Sequence, residues 1–214
     1  MASAVVVGQG KLAAKITNIL CTSGIPVAFY GMDKPFRESV EQMLHTHTET
    51  TIPLQFVDDL RHQQDMYARL LENLRMTDDI SRLFGEVIID TTRTTNSPLL
   101  RAVRRFVSEA PVMSIGGTAA DENTVSVHLY EPFEVTRIAK IVPSARISAA
   151  SLERVRALLN NAKIAEVTEE QGDLAERALN AWRNGDNSML QLHKLIARIV
   201  PSRSIASEGE SVML

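Results

Sequence analysis

Cysteine is almost missing from this chain: Cys21 is the only one in 214 residues. A lone thiol excludes an intrachain disulfide framework and fits a reducing compartment. Its place inside a helical pattern marks it as a packing residue. Aromatic residues make up only 5% of the sequence, with a single tryptophan. No apolar run approaches the roughly 20 residues that span a bilayer. The formal net charge is −3, and the basic residues form no tract interleaved with aromatics. Neither nucleic acid nor membrane is therefore an expected partner. There is no G-x-S-x-G elbow and no P-loop, so the hydrolase and kinase chemistries built on them find no support. His45, His47 and His62 lack a second cluster of cysteines or carboxylates at ligand spacing, and no metal site is expected. The first apolar segment starts close to Met1, which leads us to expect no signal peptide and a cytoplasmic protein. What remains, 44% hydrophobic and 23% charged residues, is the composition of a globular chain with a sizeable core.

Ala4-Val5-Val6-Val7-Gly8-Gln9-Gly10-Lys11-Leu12-Ala13 reads as a short strand, a turn with two glycines and the start of a helix. Gly8, Gly10 and Ala13 match G-x-G-x-x-[GA], the dinucleotide fingerprint. The first glycine permits the tight turn, the second lets the backbone approach a diphosphate, and the third position must be small where helix meets strand. The surrounding pattern agrees. Lys11 to Leu20 have helical apolar spacing, Gly24 ends the helix, and Pro26 to Tyr30 supply a second strand. A purely structural βαβ turn is the competing reading.

Further along, residues 35–47 read as helix and Leu54 to Val57 as a short strand. Asp59 to Arg75 reads as a long helix packing Met66, Leu70, Leu71 and Leu74. Glu86 to Asp90 is a strand. Ser97-Pro98 opens a helix to about Ala110, and Pro111 to Ile115 is another strand. This alternation predicts a Rossmann-type, doubly wound, mostly parallel α/β sheet. Beyond it, Thr124 to Leu129 and Arg137 to Val142 are strands joined by a short loop. Ser148 caps a helix to Asn161, and Ile164 to Val167 is a last strand. Helices over 173–183 and 187–200 form a short C-terminal appendage. The expected organisation is a dinucleotide-binding domain over 1–170, a helical region over 171–201 and a flexible tail over 202–214.

His128-Leu129-Tyr130-Glu131-Pro132, the strand Arg137 to Val142, the helix after Ser148 and Gly172-Asp173-Leu174-Ala175-Glu176-Arg177 follow one another in a telling order. Together with the glycine turn, they resemble the NAD-dependent 3-hydroxyacyl-CoA dehydrogenases from residue 3 to 182. That family carries His-Phe-Phe-Asn-Pro, a strand, a capped helix, a strand and Pro-Gly-Phe-x-x-Asn-Arg. The resemblance implies that His128 takes the proton from a substrate hydroxyl, a task suited to a side chain that titrates near neutrality. It implies that Thr118 holds the substrate oxygen and that the cofactor is NAD or NADP.

The departures lie at the site itself. The glutamate that pairs with the family's histidine corresponds to Lys140, and a cation there disfavours imidazolium. The substrate-orienting asparagine corresponds to Glu176, and the asparagine of the histidine motif to Glu131. Glu131 or Glu176 could pair with His128 or Lys140 in a rebuilt charge network. Equally, Glu131 could be a solvated loop carboxylate and Lys140 a snorkelling surface side chain. The acid that normally binds the ribose corresponds to Gly31, with Asp33 two residues on. Gly31 followed by Lys34 would instead suit a 2′-phosphate, which leaves NAD and NADP both open. Asp90 either binds a ribose hydroxyl or caps the turn after its strand.

Two functions from different classes follow. One is an oxidoreductase that transfers hydride between NAD(P) and a 3-hydroxy or 3-oxo acyl thioester or a small 3-hydroxy acid, in specialised metabolism. The other is a catalytically impaired relative that binds a nucleotide or acyl group, or supports a partner enzyme. A lyase that kept the fold is a third reading. The apolar positions Leu190, Leu192, Leu195, Ile196 and Ile199 of the last helix predict a homodimer through the C-terminal helices.

Overall fold

Four consecutive apolar residues, Ala4–Val7, form strand β1, and all four are buried. Such a strand needs neighbours on both sides, and β1 pairs in parallel with β2 (Val27–Tyr30) and β4 (Val87–Asp90). Between β1 and β2 runs helix α1 (Gly10–Thr22), which closes at Gly24 with φ +78°. The Ile25 N–H reaches the Leu20 carbonyl at 3.0 Å and the Gly24 N–H the Cys21 carbonyl at 3.0 Å, so the orphan carbonyls of the helix end are satisfied. Cys21 is fully buried there, and burial pushes its thiol pKa up to about 12. It is the packing residue its position predicted.

The computed structural model describes residues 3–8, 10–30, 38, 41–42, 44–46, 49, 59–94, 97–117, 122–186 and 188–199. Of the helix expected over 35–47, residues 38, 41–42 and 44–46 are described and are helical. The strand expected at 54–57, the tail beyond 201, and Gly31, Asp33, Lys34 and Thr118 lie outside the described residues.

Helix α2 (Leu60–Asn73) starts at Asp59, whose carboxylate accepts the His62 N–H at 2.9 Å. It stops two residues before the expected Arg75. Leu74 to Thr77 are strand β3, paired in parallel with β2 from Val27↔Leu74 to Tyr30↔Thr77. Of the expected apolar stripe, Leu70 is buried, Leu71 is 71% exposed and Leu74 belongs to the sheet. Helix α3 (Pro98–Phe106) has proline in its first turn as expected, but ends before Ala110. Strands β5 (Val112–Ile115) and β6 (Thr124–Leu129) extend the parallel sheet.

After β6 the direction reverses. The Tyr130 N–H points to the Ile138 carbonyl and the Ser144 N–H to the Thr124 carbonyl, the pairing of antiparallel strands, so β7 (Ile138–Pro143) runs against β6. The loop expected between them contains a one-turn helix, α4 (Phe133–Thr136). Helix α5 (Ala149–Asn161) is capped by Ser148, whose hydroxyl accepts the Ser151 N–H at 3.0 Å. Strand β8 (Ala165–Glu166) then pairs in parallel with β7. Helices α6 (Glu169–Arg183) and α7 (Met189–Ile199) follow. The strand order is β3-β2-β1-β4-β5-β6-β7-β8 in one eight-stranded sheet. Its first six positions are the dinucleotide-binding order, with helices on both faces of the sheet.

The chain divides into two compact units, Met1–Val127 with Ile141–Lys163 and His128–Lys140 with Ile164–Leu214. In the first, Val5, Val7, Ile88, Val103 and Val112 form a core between sheet and helix. In the second, Tyr130, Ile138, Val167, Ala175, Leu179, Leu192 and Ile196 pack together. Leu192 and Ile196, expected on a face needing a partner, are therefore covered within their own unit. The side chains of Leu190 and Ile199 lie outside the description. Residues 170–172, where the domain boundary was expected, are the first turn of α6.

Candidate functional site

Within the first unit the glycine turn connects β1 to α1 at the carboxyl end of the sheet. Gly8 has φ +136° and Gly10 has φ +81°, both in the region that favours glycine. They are needed for different reasons. A Cβ on Gly8 would stand 2.0 Å from Thr91 Oγ1, whereas one on Gly10 would meet nothing within 4 Å. Gly8 lets the turn press on the end of β4, where the Thr91 N–H and hydroxyl both donate to the Val7 carbonyl, at 2.9 and 3.2 Å. Gly10 leaves open space over the helix N-terminus, where exposed N–H groups and the helix dipole favour a diphosphate. Ala13 is fully buried where helix meets strand. The three fingerprint positions thus fit the phosphate bridge of a dinucleotide.

Asp90 is 4% exposed, and its Oδ1 accepts the Thr92 N–H at 2.9 Å and the Thr92 hydroxyl at 2.7 Å. These bonds cap the turn after β4. At the end of β5, Gly116 and Gly117 lead to Thr118, the residue expected to hold the substrate oxygen. A Cβ on Gly117 would come within 2.4 Å of Ser114 Oγ, and the Gly117 carbonyl accepts the Ser126 hydroxyl, so this glycine is fixed by packing.

The second unit holds the histidine. His128 is exposed on β6, and strand alternation puts Tyr130 on the same side. Their rings meet edge to face, with centroids 4.7 Å apart and planes at 86°. The Tyr130 ring is 5% exposed and runs to Gly172, where a Cβ would lie 2.2 Å from the tyrosine oxygen. Gly172 is therefore the gap that admits a buried aromatic into the first turn of α6. Burial raises the Tyr130 hydroxyl pKa. Lys140 opposes that shift, and Glu176, Asp173 and Glu169 add to it.

Lys140 does have a carboxylate partner, and it is one that sequence reasoning missed. Its Nζ donates to Glu169 Oε1 at 2.7 Å. Thr168 and Gln171 form a reciprocal capping box that starts α6 at Glu169. The hydrogen bond holds the Lys140 pKa above the usual ammonium value and the Glu169 pKa below the usual carboxylate value. The expected network of Glu131 or Glu176 with His128 or Lys140 is not formed among the described residues. Glu131 offers its carbonyl to Arg183 Nη2 at 2.8 Å, and Glu176 lies exposed on α6. His128 has no hydrogen bond or ion pair with a described residue, so no described carboxylate orients it.

No group of His, Cys, Asp and Glu among the described residues could hold a metal. No described helix is long and apolar enough to cross a membrane.

No family model and no curated protein matches the sequence. Solved structures do match in three dimensions. The dehydrogenase part of multifunctional enzyme 1 from C. elegans superposes with a TM-score of 0.66 at 14% identity, over 86% of this chain and 44% of that one. The (S)-3-hydroxybutyryl-CoA dehydrogenase of Ralstonia eutropha gives 0.63 at 13% identity, over 88% of this chain and 74% of its own. A diketoreductase gives 0.62 at 11% identity, over 88% and 75%. At such identities the likeness is one of fold: this chain shares the α/β architecture of these enzymes.

Proposed function

We propose that this protein is an NAD(P)-dependent oxidoreductase acting on the 3-hydroxy or 3-oxo group of a small acyl substrate. The observation that carries the reading is the glycine turn: Gly8 is closed against Thr91 while Gly10 is open, in a sheet of dinucleotide-binding order. The dehydrogenases of the same fold support it. Gly8, Gly10, Ala13 and the N-terminus of α1 would hold the diphosphate, with Gly31 and Asp33 at the ribose. Asp90 would shape the neighbouring turn. A bound nicotinamide supplies or accepts the hydride.

The chain's own part in the chemistry falls to His128, which removes the proton of the substrate hydroxyl in oxidation and returns it in reduction. Thr118 holds the substrate oxygen. Lys140 and Glu169 keep a charged pair beside Tyr130, and Glu176 on α6 would take the part of the family's substrate-orienting asparagine. No described carboxylate orients the His128 ring, and turnover is slow. That same bare histidine favours a second reading, a relative that binds nucleotide or acyl groups without turning them over. The two separate in one assay. Acetoacetyl-CoA and acetoacetate are offered with NADH and NADPH, and cofactor oxidation is followed for the wild type and His128→Gln. Turnover lost in His128→Gln supports the oxidoreductase, and no turnover with intact cofactor binding supports the second reading. The C-terminal helices α6 and α7 are the proposed homodimer contact, tested by sedimentation equilibrium.

A further inference from the structure

The connection from β4 to α3, residues 91–97, reads Thr-Thr-Arg-Thr-Thr-Asn-Ser, six polar residues around one cation. It leaves the carboxyl end of a parallel strand, the side of such a sheet where ligands bind. The loop is folded from its start by Thr92 on Asp90 and by the Thr94 N–H and hydroxyl turning back to Thr92. Arg93 then takes φ +57°, a left-handed conformation that a long side chain seldom adopts. That turn carries Arg93 across to β5: its Nε is 3.5 Å from where a Cβ on Gly116 would stand. Gly116, the first residue after β5, itself has φ +70°. Arg93 is exposed, and its guanidinium makes no hydrogen bond or ion pair with any described residue. A strained backbone that delivers an unpaired guanidinium to the ligand edge is the pattern of a binding residue.

Its position selects the ligand. Thr91, two residues earlier, is the residue that Gly8 touches, so Arg93 stands beside the glycine turn. The order β2-β1-β4-β5 places it on the β5 side of that turn, away from β2, whose end serves the ribose. The diphosphate already has the N-terminus of α1. An anion at Arg93 therefore belongs to the substrate. We infer that Arg93 binds a substrate carboxylate, so that the substrate is a free 3-hydroxy or 3-oxo acid and not a thioester. The planar guanidinium meets a carboxylate with two parallel hydrogen bonds. A thioester has no charge at that carbon and offers the guanidinium no bidentate carboxylate there. The identity of the hydroxy acid rests on the oxidoreductase reading; the carboxylate site does not.

The test is a titration of the full chain with 3-hydroxybutyrate and with its methyl ester, followed by NMR, with and without NADH or NADPH. Wild type, Arg93→Gln and Arg93→Lys are compared, and their melting curves verify that each folds. The inference predicts saturable binding of the acid over the ester. Arg93→Gln weakens acid binding about ten- to hundredfold, the cost of a lost charge-assisted pair, and Arg93→Lys weakens it less. Cofactor affinity stays unchanged. Equal acid affinity in wild type and Arg93→Gln, or no acid binding by wild type, overturns the inference. So does a variant that loses cofactor affinity but keeps the acid, because Arg93 then serves a cofactor phosphate. If wild type binds neither cofactor, the oxidoreductase reading falls separately, and the cofactor-free titration still decides Arg93.

Discussion

Gly8→Ala and Gly10→Ala add the same methyl group two residues apart in one turn, and their consequences should differ sharply. At Gly8 the methyl carbon would sit 2.0 Å from Thr91 Oγ1 and 3.2 Å from Thr91 backbone carbon, at φ +136°. Holding a non-glycine residue in a glycine-only region costs about 1–3 kcal/mol. Forcing a methyl into packed atoms costs about 1–3 kcal/mol more. The sum, about 4 kcal/mol at mid-range, lowers the melting temperature of a chain this long by roughly 8–16 °C. At Gly10 the methyl meets nothing, so only the left-handed backbone term of about 1–2 kcal/mol remains. The expected drop is roughly 2–8 °C. Adding Thr91→Ala to Gly8→Ala removes the nearest atom and should recover part of the loss, a coupling that separate effects would not show. Thermal and urea denaturation of these three variants and of Thr91→Ala alone measure all of this. Equal destabilisation at the two glycines, or additive behaviour of Gly8 and Thr91, would refute the division of labour read from the turn.

Three further outcomes are expected. In the native state Cys21 should not react with a thiol reagent at neutral pH, since burial holds its pKa near 12 and shields the sulfur; full labelling should appear only on unfolding. Glu169, held below the ordinary carboxylate range by Lys140, contributes stability above its unfolded pKa that is lost as pH falls through the lower folded value. In Lys140→Met its NMR titration midpoint should move up to the ordinary range, and an unmoved midpoint would dissolve the pair. Gly172→Ala should destabilise despite alanine's helix preference, because of the tyrosine oxygen 2.2 Å away. In a Tyr130→Phe background the same change should cost less by chevron or equilibrium melts, and equal costs would contradict the contact.

Much of the fold was legible because its signals are local. The apolar run of β1, the two glycines, Gly24 as helix stop and Ser148 as cap each act within a few residues. Strand β3 was hidden for a physical reason. Leu74 continues the i, i+4 spacing from Met66 and Leu70, and no glycine or proline separates helix from strand. Only pairing with β2 makes those residues extended, a tertiary effect that overrides local periodicity. Gly172 misled in the opposite way. It stands just before the helix expected from residue 173, yet it is a helical position kept small for Tyr130, and the capping box at Thr168 and Gln171 is the signal that marks the start.

The candidate site was legible in part. Gly8 and Gly10 take the positive φ that glycine turns need and Ala13 is buried, while the His128 and Tyr130 rings meet edge to face. The partner of Lys140 was not foreseeable, because Glu169 is brought to it by the start of α6 and not by any sequence spacing. Arg93 carried a weak signal, a cation within a run of threonines after a strand, whose meaning depends on the backbone turn that aims it at β5.

The most direct test of the central claim is calorimetric titration of the purified wild type with NADH and, separately, NADPH. The open turn at Gly10 predicts micromolar binding of at least one of them, with Gly10→Asp, which places a carboxylate where the diphosphate would lie, losing it while staying folded. Failure of the wild type to bind either cofactor would contradict the assignment of this turn as a dinucleotide site, and the oxidoreductase proposal with it.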